Sequence, residues 1–238
     1  MIRLIYLHGF NSSPQTIKGR QLAAWLGPLA GQIAFDLPAL PHRPAQAIAL
    51  VERLLAQYAG NDHGSSASPA IYGGVSETKR ERGAAGPAQA RGDDAPPFQG
   101  GRNHITLIGS SLGGYYATFL AEKHGLKAVL INPAILPDRD LEQFLGPQRN
   151  LYTDEPYELT RKHLEEMSAL RVARITRPDR YYLLVQTGDE VLDYREAVRY
   201  FTGARQKVIE GGDHGFQKFE QVIAEILAFA GHGQPPPG

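Results

Sequence analysis

Read for its apolar positions, the chain alternates short continuous apolar runs with segments whose apolar residues recur at helical spacing. Ile2 to Leu7 is one such run. Ser13-Pro14 then supplies a helix cap and a first-turn proline, and the helix that follows ends at Gly27-Pro28. The unit recurs: Gln32 to Asp36 before a helix over Pro44 to Tyr58, His104 to Ile108 before Leu112 to His124, and then a strand at Lys127 to Ile131. Further along come Arg180 to Gln186 before Tyr194 to Phe201, and Gln206 to Ile209 before Phe216 to Ala230. Strands and helices in alternation imply an α/β fold: a mostly parallel sheet of about six strands with helices on both faces. Ile105-Thr106-Leu107-Ile108 and Tyr181-Tyr182-Leu183-Leu184-Val185 are almost wholly apolar, as strands buried on both sides must be. In such sheets the chemistry lies beyond the C-terminal strand ends, so the loops there are where reactive side chains are sought.

Two segments break the alternation. Gly60 to Arg102 is rich in Gly, Ala, Ser and Pro and lacks a sustained apolar period; it reads as a disordered insertion, with Glu77 to Arg82 a solvated charge run. Residues 138–176 instead carry Leu141, Phe144 and Leu145, then Leu159, His163, Leu164 and Met167, at helical spacing. They read as two short helices forming a small cap. The expectation is thus a single domain over 1–231, with a flexible tail at 232–238.

Composition narrows the partners. With 25 basic and 25 acidic residues in a chain of 238, and no basic block, the charge pattern that nucleic acid or an anionic membrane requires is missing. A small-molecule substrate is the expectation. The chain has no cysteine, which excludes a thiol nucleophile and thiolate metal sites and fits a reducing, cytoplasmic setting. No apolar stretch at the N-terminus is long enough for a signal peptide or a membrane span.

The chemistry centres on Gly109-Ser110-Ser111-Leu112-Gly113, a G-x-S-x-G between a buried strand and a helix. A sharp strand-to-helix turn needs residues without bulk at Gly109 and Gly113 so that Ser111 can stand exposed above the helix N-terminus. A dinucleotide-binding turn would want glycine at 111 and an acidic residue after the next strand, where Ile131-Asn132-Pro133 stands. A serine hydroxyl needs a base. Of eight histidines, His214 has the best placement, in Gly211-Gly212-Asp213-His214-Gly215 after the last strand. The base needs a carboxylate, and Asp189 is the nearest to its strand end in Gly188-Asp189-Glu190-Val191-Leu192-Asp193. Asp193 is better placed to cap the next helix, and Glu190 to face solvent. Backbone donors for an oxyanion would be the N–H groups of Leu112 and Phe10, the latter in a loop where Gly9 permits close approach. His8 is expected to shape that loop rather than to act as a base. No cluster has metal-ligand spacing.

Five motifs in order carry a resemblance: His8-Gly9-Phe10-Asn11-Ser12-Ser13-Pro14, Gly109 to Thr118, Asn132-Pro133-Ala134, Gln186 to Tyr194, and Ile209 to His214. Together they resemble the YqiA-type bacterial esterases of the α/β-hydrolase superfamily. The resemblance implies hydrolysis of carboxylic esters or thioesters by a triad of Ser111, Asp189 and His214, a compact domain with a small cap, and no cofactor. An acyl-CoA thioesterase is the near alternative, because one triad serves both leaving groups. From another class, a hydrolase-fold binding protein without turnover would have no need of nucleophile, base and acid together.

Overall fold

The computed structural model describes residues 1–60 and 104–233. The strands are β1 (Ile2–Leu7), β2 (Ile33–Asp36), β3 (Ile105–Ser110), β4 (Lys127–Ile131), β5 (Gly146–Arg149), β6 (Pro156–Leu159), β7 (Tyr181–Gln186) and β8 (Arg205–Ile209). The helices are α1 (Ile17–Leu26), α2 (Pro44–Gly60), α3 (Leu112–His124), α4 (Pro137–Asp140), α5 (Arg161–Ala169), α6 (Tyr194–Tyr200) and α7 (Ile223–Ala230). Among the described residues, six strands form one sheet in the order β2-β1-β3-β4-β7-β8, with every ladder parallel. The expected α/β architecture is present.

Side chains alternate across the sheet, and both sets are buried. Ile5, Leu7, Leu107, Leu130, Leu183 and Val185 pack on one face with residues of α2, α3, α5 and α6. Leu4, Tyr6, Ile108, Val129, Tyr182 and Leu184 pack on the other with residues of α1 and α7. The period of two explains why these strands read as continuous apolar runs: neither face is left to water. The chain runs from β1 to β2 on one side and returns to β3 on the other. The loops after β1 and β3 therefore diverge at a topological switch point, which opens a crevice at the C-terminal strand ends.

Two expectations need correction and a third needs an addition. The first helix begins at Ile17, not at Ser13-Pro14, because the Ser13 hydroxyl accepts the N–H of Gln15 and its carbonyl that of Thr16, closing a turn instead. The last helix starts at Ile223 after a 3-10 turn at Phe219–Val222; Phe216 (φ 62°) and Lys218 (φ 56°) interrupt the helical run anticipated from Phe216. The two short helices expected within 138–176 correspond to α4 with a 3-10 turn at Glu142–Phe144 and to α5, and the chain between them forms a β-hairpin, β5 with β6, that was not expected. The insertion read at Gly60 to Arg102 falls outside the described residues save for Gly60, which ends α2. Most of the tail read at 232–238 does so too. Among the described residues no helix is long and apolar enough to cross a membrane.

The hairpin and α5 are tied back to the body of the protein by a line of polar and aromatic contacts. His163 lies 2.9 Å from His42 (Nε2 to Nδ1), and the His42 ring stacks on Tyr157 with centroids 4.5 Å apart. The Tyr157 hydroxyl donates to Asn11 Oδ1 at 2.7 Å, and Arg43 pairs with Glu166.

The first turn of α3 passes so close to β1 that a Cβ on Gly113 would overlap the backbone carbonyls of Leu7 and His8. Backbone atoms cannot yield as a side chain can. Gly113→Ala should therefore lower the urea unfolding midpoint by the equivalent of about 3 kcal/mol or more. An unchanged midpoint would mean that the helix can shift away from the strand at little cost.

Candidate active site

Ser111 sits between β3 and α3 with φ 54° and ψ −124°, backbone angles that residues other than glycine rarely adopt. Its surroundings hold it there. The Ser111 N–H donates to Ile131 O at 3.1 Å, and its carbonyl accepts from Gly114 N (2.9 Å) and Ala134 N (3.1 Å). A Cβ on Gly109 would overlap the Gly113 carbonyl, and one on Gly114 would come within 2.6 Å of Pro133 Cβ. These contacts give the physical reason for glycine at 109, 113 and 114: the turn closes on itself and on its neighbours with no room for a side chain.

The residues singled out from sequence come together. His214 Nε2 lies 3.1 Å from Ser111 Oγ, and His214 Nδ1 lies 3.0 and 2.9 Å from Asp189 Oδ1 and Oδ2. A carboxylate accepts only, so Nδ1 carries the proton and Nε2 presents a lone pair to the serine hydroxyl. Asp189 is itself fixed, since its Oδ1 also accepts the N–H groups of Val191 and Leu192, each at 2.9 Å. Asp193 caps α6, accepting from Arg195 N at 2.9 Å, and takes no part in the contacts to His214.

Gly9 lies beside Ser111. A Cβ there would stand 3.1 Å from Ser111 Cβ and 3.5 Å from Ser111 Oγ. Phe10 follows directly in the chain, and its ring meets Tyr157 edge-on at 6.4 Å, so the hairpin of β5 and β6 packs on this loop. Leu112 opens α3, and its N–H precedes any intrahelical acceptor. The helix N-terminus carries a partial positive charge at the same place. His8 is 4% exposed, with Nε2 accepting the N–H of Leu40 at 3.0 Å and Nδ1 placed 3.2 Å from Gly9 O. It shapes the loop, as its position after β1 suggested.

Three contributors escape a reading of the sequence. Glu190 is exposed, as expected, yet its Oε2 accepts the N–H of His214 at 3.0 Å. Lys18, on α1, is buried and donates to Gly215 O at 2.7 Å across 197 positions of chain. Burial lowers its ammonium to about 8 against the opposing pull of Asp213 and Asp189. Gln186, at the end of β7, accepts with Oε1 the N–H groups of Asp213 and Gln217. A lysine near a helix start and a glutamine at a strand end carry no local mark of such long-range bonds. Among the described residues, no group of three or more His, Asp or Glu could hold a metal ion.

Residues 3–73 and 98–231 match the model of UPF0227, described as an uncharacterised protein family. The chain belongs to that family. It is the family of the YqiA-type esterases whose motifs the sequence resembles. Solved structures add the fold. Est1E from Butyrivibrio proteoclasticus, with ferulic acid bound, is 12% identical, with 96% of this chain and 88% of that one covered and a TM-score of 0.58. The esterase domain of a Rhodothermus marinus protein is 17% identical over 96% of this chain and 86% of that one, with a TM-score of 0.56. Mouse alpha/beta hydrolase domain-containing protein 10 is 14% identical over 95% and 88%, again with a TM-score of 0.56. At such identities the likeness is one of fold, and the fold is that of the α/β hydrolases.

Burial pushes the His8 imidazole down to about 4 from its ordinary 6.5, against the opposing effect of its contact with the Gly9 carbonyl. The folded protein thus keeps His8 neutral where the unfolded chain would take up a proton. His8 adds stability in full above about pH 6.5, and this is lost as pH falls towards 4, a span worth about 3 kcal/mol. Urea unfolding across this range should show a steeper acid loss for the wild type than for His8→Gln; parallel curves would mean that His8 takes up its proton without disturbing the loop.

Proposed function

We propose that this protein is a serine hydrolase that cleaves carboxylic esters through an acyl-enzyme. The observation that carries the reading is the unbroken line from Asp189 through His214 Nδ1 and Nε2 to Ser111 Oγ, ending on a serine in strained backbone at a helix N-terminus. Membership of the YqiA-type family and the esterases among the fold neighbours support it.

In the first half-reaction Ser111 Oγ attacks the acyl carbonyl carbon while its proton passes to His214 Nε2. Asp189 holds the ring and stabilises the imidazolium. The negative charge on the carbonyl oxygen is met by the N–H groups of Phe10 and Leu112 and by the positive end of α3. The tetrahedral intermediate then collapses, the C–O bond to the alcohol breaks, and His214 returns the proton to the departing oxygen. In the second half-reaction water takes the alcohol's place: His214 removes its proton, the hydroxide adds to the acyl carbon, and Ser111 leaves with the proton restored. The net change is ester plus water to acid plus alcohol, with nothing oxidised or reduced. Lys18 and Glu190 hold the backbone on either side of His214, at Gly215 O and His214 N–H, so the imidazole keeps its place through both proton transfers.

Turnover of a p-nitrophenyl ester by purified variants tests the assignment. Ser111→Ala should lose about a million-fold in kcat, and Asp189→Asn about ten-thousand-fold. Asp193→Asn should stay within a few-fold of wild type, because that side chain caps a helix. Equal losses at 189 and 193, or activity retained in Ser111→Ala, would overturn the reading.

A further inference from the structure

Asn132 stands at the end of β4, 2% exposed, with φ 41°. Its own hydrogen bonds reach the loops that carry Asp189 and His214, and its neighbours along the chain hold the Ser111 turn. On the nucleophile side, the preceding residue Ile131 accepts the Ser111 N–H, and Ala134 donates to the Ser111 carbonyl. On the acid side, the Asn132 backbone N–H donates to Leu184 O at 2.9 Å, and its Oδ1 accepts the N–H of Gln186 at 3.0 Å, three residues before Asp189. On the base side, its Nδ2 donates to the carbonyls of Asp213 at 3.0 Å and of His214 itself at 3.2 Å. Both protons of Nδ2 and one lone pair of Oδ1 are used, and all the bonds are buried or partly buried.

We propose that Asn132 is a positioning residue that sets the distance from His214 Nε2 to Ser111 Oγ by fastening the base loop to the ends of β4 and β7. The inference rests on the reading of Ser111, His214 and Asp189 as the reacting groups, and Asn132 acts through His214 without touching substrate. Its geometry suits the task. A side chain that is donor at one end and acceptor at the other can join a carbonyl-rich loop to a strand end that offers an N–H. The same side chain tolerates the left-handed backbone that aims it there. Gln186 does the complementary work, its Oε1 taking the N–H groups of Asp213 and Gln217, while its Nε2 donates to Gln217 O at 2.9 Å. The loop passes so close to the Gln186 amide that a Cβ on Gly212 would overlap it. Gln186 thus anchors the segments flanking His214, whereas Asn132 holds the carbonyl of His214.

Two substitutions separate positioning from plain stability. Asn132→Asp keeps the acceptor for Gln186 N–H but sets an oxygen against the carbonyls of Asp213 and His214. Asn132→Gly removes the amide without adding charge and accepts φ 41° freely. The readouts are the rate of labelling of Ser111 by a fluorophosphonate, in which Ser111 Oγ displaces fluoride from phosphorus, and kcat and KM on a p-nitrophenyl ester, all on protein verified as folded by its thermal transition. Both variants should label and turn over about a hundred-fold more slowly, with KM within a few-fold of wild type. Wild-type labelling and kcat in either folded variant, even with a lowered Tm, would overturn the inference and leave the triad reading intact. A wild-type protein that never labels at Ser111 would overturn the triad reading and this inference with it.

Discussion

A serine at φ 54° and ψ −124° holds a conformation that costs of the order of 1–3 kcal/mol, and its side chain makes no capping bond to the helix it precedes. The surroundings must do so, and in this protein they are backbone. Ile131, Gly114 and Ala134 take the hydrogen-bonding groups of Ser111, while glycines at 109, 113 and 114 let β3, α3 and the Pro133 turn close to contact distance. Much of the architecture follows from this turn. α3 can lie against β1 because Gly113 has no Cβ, and β1 then delivers Gly9 so near the serine that a Cβ on it would stand 3.1 Å from Ser111 Cβ. The strained turn and the loop beside it are thus one packing solution.

Asp189 and His214 arrive by an extension of the sheet. β7 and β8 pair in parallel up to Gln186 and Ile209, and the loops beyond continue the exchange: Thr187 N–H to Ile209 O, Gly188 N–H to Gly211 O, Gly211 N–H to Thr187 Oγ1, and His214 N–H to Glu190 Oε2. Gly188 has no Cβ, which would overlap the Gly212 carbonyl. Polar side chains buried at the strand ends then fasten this pair of loops to the centre of the sheet. An unpaired buried amide is costly, so Asn132 and Gln186 favour one arrangement of the loops over slipped alternatives.

Much of this was legible in the sequence, and the reasons differ by element. The strands were read well because both faces of the sheet are buried, so that their apolar runs stand out against polar loops. Ser111, Asp189 and His214 were legible because each sits just past such a run, where a parallel sheet gathers its loops. The hairpin of β5 and β6 was missed: Gly146-Pro147 and Pro156 suggest breaks, and the apolar residues around them fit helical spacing. The starts of α1 and of the last helix were misplaced because turns at Ser13 and at Phe216 to Lys218 interrupt segments whose apolar spacing runs on. Lys18, Glu190 and Gln186 act through bonds to residues 24 to 197 positions away, and no local pattern encodes such a partner.

The proposed reaction requires these loops to meet on one activated serine with donors arranged for a developing oxyanion. A crystal structure of the protein after treatment with a small fluorophosphonate tests it most directly, since the adduct mimics the tetrahedral intermediate. The expected result is phosphorus bonded to Ser111 Oγ and a phosphoryl oxygen about 2.7–3.1 Å from both the Phe10 and Leu112 nitrogens. Phosphorus on another residue, or a phosphoryl oxygen turned away from both nitrogens, would contradict it.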